Sequence, residues 1–298
     1  MKEISAAQAA AKWGVSERSV RNYCAGGRVP GAVLVGKTWH IPETAKKPER
    51  LNKHTDAPAS LTEVLKAEKA ARRHGGIYHK LQIEMTYNSN HIEGSRLTRD
   101  QTRYIFETNT IGLADAAVNV NDVIETANHF RCIDMMIDNA ARAPSEAMIK
   151  QLHALLKSGT SDSRLDWFAV GDYKKLPNEV GGAATAAPEE TSACMKKLLA
   201  EYNAVREKSF DDLLDFHVRF ERIHPFQDGN GRVGRLILFK ECLRAGIVPF
   251  IIGEELKMFY YRGLKEWDRE PGYLRDTCLT AQDKFKRYLD YFRIPYEN

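Results

Sequence analysis

No run of apolar residues in the 298-residue chain approaches the length of a membrane-spanning helix. The opening Met1-Lys2-Glu3-Ile4-Ser5 lacks the basic start and apolar stretch of a secretory leader, and no membrane partner is expected. Cysteine is scarce: Cys24, Cys132, Cys194, Cys242 and Cys278 are odd in number, far apart, and form no Cys-x-x-Cys pair. That excludes a disulfide framework and a cysteine-based zinc site, and points to reduced thiols in a cytoplasmic protein. No internal repeat occurs at solenoid spacing. What remains is ordinary globular composition, 43% hydrophobic and 28% charged, enough to bury a sizeable core.

The net charge of +4 is unevenly spread. The first fifty residues hold nine Lys or Arg against four acids, so the rest of the chain is close to neutral. A basic module ahead of a neutral body suggests an anionic partner for that module alone. Within it, Ile4, Ala7, Ala11 and Trp13 supply the apolar face of a first helix with Ser5 as N-cap. Ser16 caps a second helix running to about Cys24, and Gly26-Gly27 ends it. Ala32–Val35 and Thr38–Ile41, joined by Gly36-Lys37, read as a hairpin. Helix, turn, helix and β wing resemble the small MerR- or excisionase-like winged helix-turn-helix modules over residues 1–45. Such a module would present Arg18, Ser19, Arg21 and Asn22 to double-stranded DNA. A basic docking domain that never touches DNA is the plainer alternative.

Residues 46–60, with Pro48, Pro58 and Lys46-Lys47, read as a linker. Beyond them the chain is mainly α. Amphipathic segments fall at 61–88, 98–109, 119–140, 144–157, 188–207, 210–223 and 232–245. The turn-rich stretch 168–183 interrupts them and predicts a short hairpin.

The densest chemistry lies at His224-Pro225-Phe226-Gln227-Asp228-Gly229-Asn230-Gly231-Arg232-Val233-Gly234-Arg235. Pro225 ends the preceding helix at His224. A glycine loop follows, and then a new helix. Loop N–H groups at a helix N-terminus bind anions by hydrogen bonding and by the helix dipole. Arg232 and Arg235, three residues apart, suit a polyphosphate. Asp228 offers a hard oxygen for Mg²⁺. His224 is the group there able to accept a proton near neutral pH. The formal Gly229-x-Gly231-x-x-Gly234 dinucleotide fingerprint, with Glu254 about twenty residues on, is rejected because it follows a helix and no βαβ unit surrounds it. A Walker loop fails as well, since the segment has no Gly-Lys-Ser/Thr.

His224 through Arg235 resembles the signature of Fic-domain proteins, H-P-F-x-[DE]-G-N-G-R-x-x-R, with each fixed position met. His217–Ile223, Pro249 and Tyr260–Leu264 agree with it, and the resemblance spans about 60–298. It implies a Fic helical core over 111–298, preceded at 61–110 by helices carrying an inhibitory motif. It implies a protein adenylyltransferase that moves AMP from ATP to a Ser, Thr or Tyr hydroxyl of a target protein, or of itself. His224 would be the general base and Asp228 the Mg²⁺ ligand. Gly229, Asn230 and Gly231 would line the anion hole, Arg232 and Arg235 would hold the β- and γ-phosphates, and Phe226 would anchor the loop. Segment 171–182 would be the hairpin flap that aligns the target peptide, with Gly171, Tyr173 and Lys174 in it; Lys174 stands where many relatives have Arg. Ser89-Asn90-His91-Ile92-Glu93-Gly94 resembles the family's inhibitory motif, [ST]-x-x-x-E-[GN]. Ser89 and Glu93 would share a helix face, with Glu93 paired to Arg235. Other phospho- or nucleotidyl-transfer, de-AMPylation, and a DNA-binding regulator using the Fic core as a sensor stay open, as does a homo-oligomer.

Overall fold

The computed structural model describes residues 2–25, 27–36, 38–48, 59–112 and 117–296. The chain divides into two compact units, Met1–Ala57 and Pro58–Asn298.

The first unit runs β1 (Glu3–Ser5), α1 (Ala6–Trp13), α2 (Glu17–Ala25), β2 (Val33–Val35) and β3 (Thr38–Pro42). The strands form one antiparallel sheet in the order β1-β3-β2, with Ile4 opposite Ile41 and Leu34 opposite Trp39. Ser5 starts α1 through a capping box: its Oγ accepts from Gln8 N–H, and the Gln8 side chain accepts from Ser5 N–H at 2.8 Å. Gly14, at φ +62°, closes the helix. Ser16 Oγ accepts from Ser19 N–H at 3.2 Å and starts α2.

Two expectations are corrected here. Ile4 is a strand residue, because pairing with β3 satisfies its backbone before α1 begins. The buried face of α1 is Ala6, Ala9, Ala10 and Trp13, while Ala7 and Ala11 face solvent. The alanine-rich run allows several periodic faces, and only packing on Val20, Cys24, Val29 and Ile41 chooses among them. Gly31 to Thr38 also spells Gly-x₄-Gly-Lys-Thr, a Walker pattern outside the segment tested above. It lies across the β2–β3 hairpin with no helix after it, so the strand–loop–helix cradle is missing. Gly26, Lys37 and positions 49–58 of the expected linker lie outside the described residues.

The second unit is helical: α3 (Leu61–Ala70), α4 (Ile77–Ile92), α5 (Arg99–Thr108), α6 (Val120–Asp138), α7 (Glu146–Lys157), α8 (Pro188–Ala204), α9 (Phe210–Ile223), α10 (Asn230–Ala245), α11 (Lys257–Glu266) and α12 (Gly272–Phe292). A hairpin, β4 (Glu179–Val180) and β5 (Ala183–Ala184), sits between α7 and α8. Ser60, Thr98 and Ser209 each begin a helix with a reciprocal capping box to Glu63, Gln101 and Asp212.

The expected helix over 61–88 is two helices. Arg72 at φ +47° and Gly75 at φ +72° break it, and the second piece extends to Ile92. Glu68 folds over the break and accepts from Tyr78 N–H at 2.9 Å. A Cβ on Gly76 would stand 2.2 Å from that carboxylate, so a side chain there would push Glu68 off the Tyr78 N–H. Helices α11 and α12 follow the last segment picked out by periodicity.

Helix α10 is the hub. Thirteen of its residues are buried, so it has no polar face, and it packs against α4, α6, α7 and α9. Val233, Leu236, Ile237 and Phe239 join one core with Ile133, Leu152, Phe216 and Phe220. Leu238 and Cys242 join a second with Leu214, Val218, Tyr260 and Leu274. Arginines at the start of such a helix are therefore delivered into the protein interior.

Candidate active site

The site is the turn from α9 to α10. His224 occupies the C-cap of α9 in the left-handed region, φ +51°, and its N–H donates to Phe220 O at 3.0 Å. That conformation is uncommon for a side-chain-bearing residue. Pro225, which disfavours the helical alternative, holds it there. His224 Nδ1 lies 3.1 Å from Glu221 O. A carbonyl only accepts, so Nδ1 carries the proton and the Nε2 lone pair is left free. Burial, with a smaller contribution from the positive charge of Lys174, lowers the His224 pKa. The imidazole is thus a neutral base at neutral pH.

Phe226 is fully buried and stacks on His153 with ring centroids 4.0 Å apart and planes 4° apart. Asn230 locks the same residue through its main chain. Asn230 Oδ1 accepts from Phe226 N–H and Asn230 Nδ2 donates to Phe226 O, both at 2.8 Å. Asn230 is therefore the clasp of the loop as well as the first residue of α10. Gly229, at φ +80°, is the N-cap and has no side chain to offer, so the first-turn N–H groups of α10 lack a side-chain cap.

Around this N-terminus stand a carboxylate and two guanidinium groups. Asp228 Oδ2 accepts from Lys157 Nζ at 2.6 Å and from Arg232 Nη2 at 3.3 Å. Although burial opposes its charge, Arg232 and Lys157 hold its pKa down at about 2. Its side chain is nonetheless 48% exposed, open to an incoming cation. Arg232 is buried and also pairs with Glu125. Arg235 is buried and donates from Nε to Ser89 Oγ at 3.1 Å, from Nη2 to Ser89 O at 3.0 Å, and from Nη2 to Glu93 Oε1 at 2.6 Å. Ser89 and Glu93, one turn apart at the end of α4, thus meet a single guanidinium. Burial opposes the Glu93 charge, but Arg235 and Arg232 outweigh it and keep the pKa low. Gly94, at φ +97°, turns the chain away after Glu93. A Cβ on Gly231 would lie 2.3 Å from Glu93 Oε1, so the glycine makes room for the carboxylate at the mouth of the site.

The three residues assigned to a flap stand elsewhere. Gly171, Tyr173 and Lys174 precede the β4–β5 hairpin and are not part of it. Gly171 N–H donates to His153 Nδ1, and Tyr173 is buried with its hydroxyl donating to Glu146. Lys174 is 3% exposed, and its Nζ donates to Asn178 Oδ1, Thr185 Oγ1 and Ile223 O. Burial pushes its pKa down to about 8. These side chains brace the base of the hairpin against the end of α9. The two-residue turn Gly181-Gly182, both at positive φ, sets the hairpin at 179–184.

Sequence reasoning missed Glu125, His153, Lys157 and Glu221, which approach the loop from α6, α7 and α9. Glu221 is buried, burial pushes its pKa up to about 8, and its Oε1 lies where a side chain at Gly234 would fall. Only the fold reveals these partners, because each is distant in sequence or hidden on an apolar face. Among the described residues no cluster of three His, Cys, Asp or Glu could hold a metal. A lone carboxylate suits Mg²⁺ carried by phosphate oxygens and water, since that ion keeps most of its water and takes few protein ligands.

Arg18, Arg21 and Asn22 are exposed on α2, with Arg21 Nη2 on Glu17 Oε1 at 2.5 Å. The Ser19 hydroxyl lies 2.9 Å from Ser16 Oγ. Val33, Leu34 and Val35 leave the wing strand β2 more than half exposed.

The Fic/DOC family model matches residues 143–241, from just before α7 into α10. This stretch is a Fic/DOC domain. Among curated relatives, the protein adenylyltransferase Fic of Aedes aegypti is 26% identical over 250 residues, covering 83% of this chain and 48% of that protein. That of Culex quinquefasciatus is 27% identical, covering 83% and 47%. The chain therefore spans about half the length of these relatives. A solved Fic domain-containing signaling protein from Bacteroides thetaiotaomicron superposes with a TM-score of 0.57 at 27% identity, covering 77% of this chain and 90% of that one. Fic-1 of C. elegans shares the fold, with a TM-score of 0.60 at 19% identity, covering 78% and 71%. The Fic/DOC match contains α9, the loop and the start of α10 that carries both arginines.

Proposed function

We propose that this protein is an adenylyltransferase that moves AMP from ATP to a protein hydroxyl, and that it rests in a self-inhibited state. The observation that carries this reading is His224: its Nδ1–H is committed to Glu221 O, which leaves a neutral Nε2 base beside an uncapped helix N-terminus, one open carboxylate and two buried guanidiniums. The target hydroxyl oxygen attacks the α-phosphorus in line. Its proton passes to His224 Nε2, the bond to the bridging oxygen breaks, and pyrophosphate leaves. The N–H groups of Gly229, Asn230 and Gly231 stabilise charge on the phosphates, and Arg232 and Arg235 bind the β- and γ-phosphates. Asp228 would hold Mg²⁺, which neutralises the leaving diphosphate. The exposed edge at Glu179–Val180 is the part of the hairpin free to align an extended target segment.

Glu93 occupies Arg235, the guanidinium assigned to the γ-phosphate, so the same carboxylate would turn ATP away from its productive pose. Intact-mass measurement of Glu93→Gly with ATP and Mg²⁺ tests both points. Gain of an AMP supports the reading. Gain of a phosphate would replace it with phosphoryl transfer, and no gain on the protein or on added proteins would remove it.

For the first unit we propose a winged helix-turn-helix that binds duplex DNA through Arg18, Arg21 and Asn22. The basic charge of residues 1–50 and the exposure of α2 favour it. Binding of the full chain to duplex DNA should weaken steeply with salt; no binding at low salt would leave the exposed wing Val33-Leu34-Val35 as a protein-docking surface.

A further inference from the structure

Lys157 is the last residue of α7 and is 1% exposed. Its Nζ donates to Glu125 Oε1 and to Asp228 Oδ2, the latter at 2.6 Å, with Asp162 Oδ2 3.8 Å away and the Phe168 ring centroid at 5.3 Å. One turn earlier on α7, His153 Nδ1 accepts from Gly171 N–H, so its Nε2 carries the proton and donates to Asp228 O at 3.1 Å. Helix α7 therefore grips Asp228 at both its main chain and its carboxylate. Glu125 bridges Lys157 and Arg232. Two cations, Lys157 and Arg232, thus share the carboxylates of Glu125 and Asp228, with Asp162 at the edge of the network, and of the first four groups Asp228 alone is substantially exposed.

Burying an ammonium is costly unless its partners compensate, and a whole buried ion pair can often be exchanged for apolar side chains without loss of stability, whereas removing one partner leaves the other charge exposed to that cost. The partner gained here is the one carboxylate of the nest. We propose that the Lys157 ammonium is a resident counter-cation at Asp228: it positions that carboxylate and tempers its hold on Mg²⁺. The inference rests on the reading of Asp228 as the metal ligand. Without a divalent ion, Lys157 keeps the Asp228 charge from repelling the phosphates of ATP. With one, it competes for the same carboxylate and repels the ion.

This gives Lys157 effects of opposite sign, which a merely structural lysine would not show. The test is calorimetric titration of ATP into the full chain carrying Glu93→Gly and His224→Ala, which opens the γ-phosphate site and prevents turnover. Titrations are run with Mg²⁺ and with EDTA. Adding Lys157→Met should make ATP bind roughly three- to tenfold tighter with Mg²⁺ and weaker by a similar factor without it. Lys157→Arg should restore the original ratio. Equal weakening under both conditions, or no change, overturns the proposal. If Lys157→Met melts early, Glu125→Gln with Lys157→Met removes the charge pair together and keeps an acceptor for Arg232. Asp228→Asn in the same background separates the two readings. If it leaves the Mg²⁺ effect intact, Asp228 is not the metal ligand; if it abolishes the effect while Lys157→Met changes nothing, only the counter-cation proposal fails.

Discussion

Arg235 Nη2 donates to Glu93 Oε1 at 2.6 Å, while its Nε and the same Nη2 hold the hydroxyl and the carbonyl of Ser89. The guanidinium is buried, and the Glu93 side chain keeps 28% of its surface exposed. The contact is therefore asymmetric. Arg235 is fixed by the core and by Ser89, and Glu93 is the partner that can leave. Release of Glu93 uncovers a guanidinium already in place for an anion.

Glu93→Gly should raise AMP transfer at least about tenfold, the size of change expected when one charge-assisted hydrogen bond no longer competes with phosphate. Labelled ATP would show it as increased label on the protein or on added proteins. Tm should fall, because Ser89 keeps its hydrogen bonds to Arg235 but the buried guanidinium loses its carboxylate. Unchanged transfer together with unchanged ATP affinity would rule out the brake.

His224 should set the acid limb of the pH–rate profile. A general base works unprotonated, and burial together with the Lys174 charge lowers the His224 pKa from its ordinary 6.5. Activity of Glu93→Gly should hold as pH falls through 6.5 and fail only below it. His224→Ala should lose transfer and still bind ATP, since the nest and the two arginines remain. An acid limb above 6.5, or full activity in His224→Ala, would remove the base assignment.

The local parts of the site were legible in the sequence. His224-Pro225 signals a helix end, Gly229 and Gly231 a loop, and Arg232-x-x-Arg235 one side of a helical turn. The boundaries of α9 and α10 follow from caps and apolar spacing. The Glu93–Arg235 contact came only through family resemblance, because no periodicity relates residues 142 positions apart. Lys157 and Glu125 gave no signal, since each reads as one charge on an amphipathic helix until α10 packs against α6 and α7. The hairpin position was misjudged because Gly171 and Gly181-Gly182 are equally turn-like, and only strand pairing separates them.

Stability should fall as pH drops below 6.5. His129, His153 and His217 are buried, and burial pushes their pKa values down to about 3, 4 and 3. Below 6.5 each binds a proton in the unfolded chain and none in the folded one, so stability falls as pH drops from 6.5 toward 4. Glu221, raised to about 8 by burial, acts in the opposite sense: the folded state holds its proton between about pH 8 and 4.5, and stability rises as pH falls through 8. Three groups outweigh one below pH 6.5, with a net slope that grows from under about 1 kcal/mol per pH unit at 6.5 toward about 3 near pH 5. Urea midpoints should therefore change little from pH 8 to 6.5, where Lys174 and the histidines offset Glu221, and fall from 6.5 to 5.5. A flat or steadily rising series toward pH 5.5 would mean that the three histidines take protons inside the fold.

Asn230→Ala should separate loop architecture from chemistry. Asn230 is 1% exposed, and its amide makes two hydrogen bonds to the Phe226 peptide unit, both at 2.8 Å. Alanine leaves Phe226 N–H and one lone pair of its carbonyl without the amide partner, while Asn178 Nδ2 still donates to that oxygen at 2.8 Å. The loss should cost about 2–3 kcal/mol, chiefly from the unsatisfied buried N–H. For a unit of this size that is a fall in Tm of about 4–12 °C. Phe226 should stay stacked on His153, because that contact does not use the amide. What changes is the register of Asp228 and Gly229, so ATP affinity and transfer should both fall in the Glu93→Gly background. Asn230→Asp keeps the acceptor for Phe226 N–H and loses only the donor, and should recover part of the Tm but little of the ATP affinity, since it adds a negative charge to the anion nest. A variant that melts like the parent would show that the Phe226 peptide is held without Asn230, by Asn178 and the ring stack.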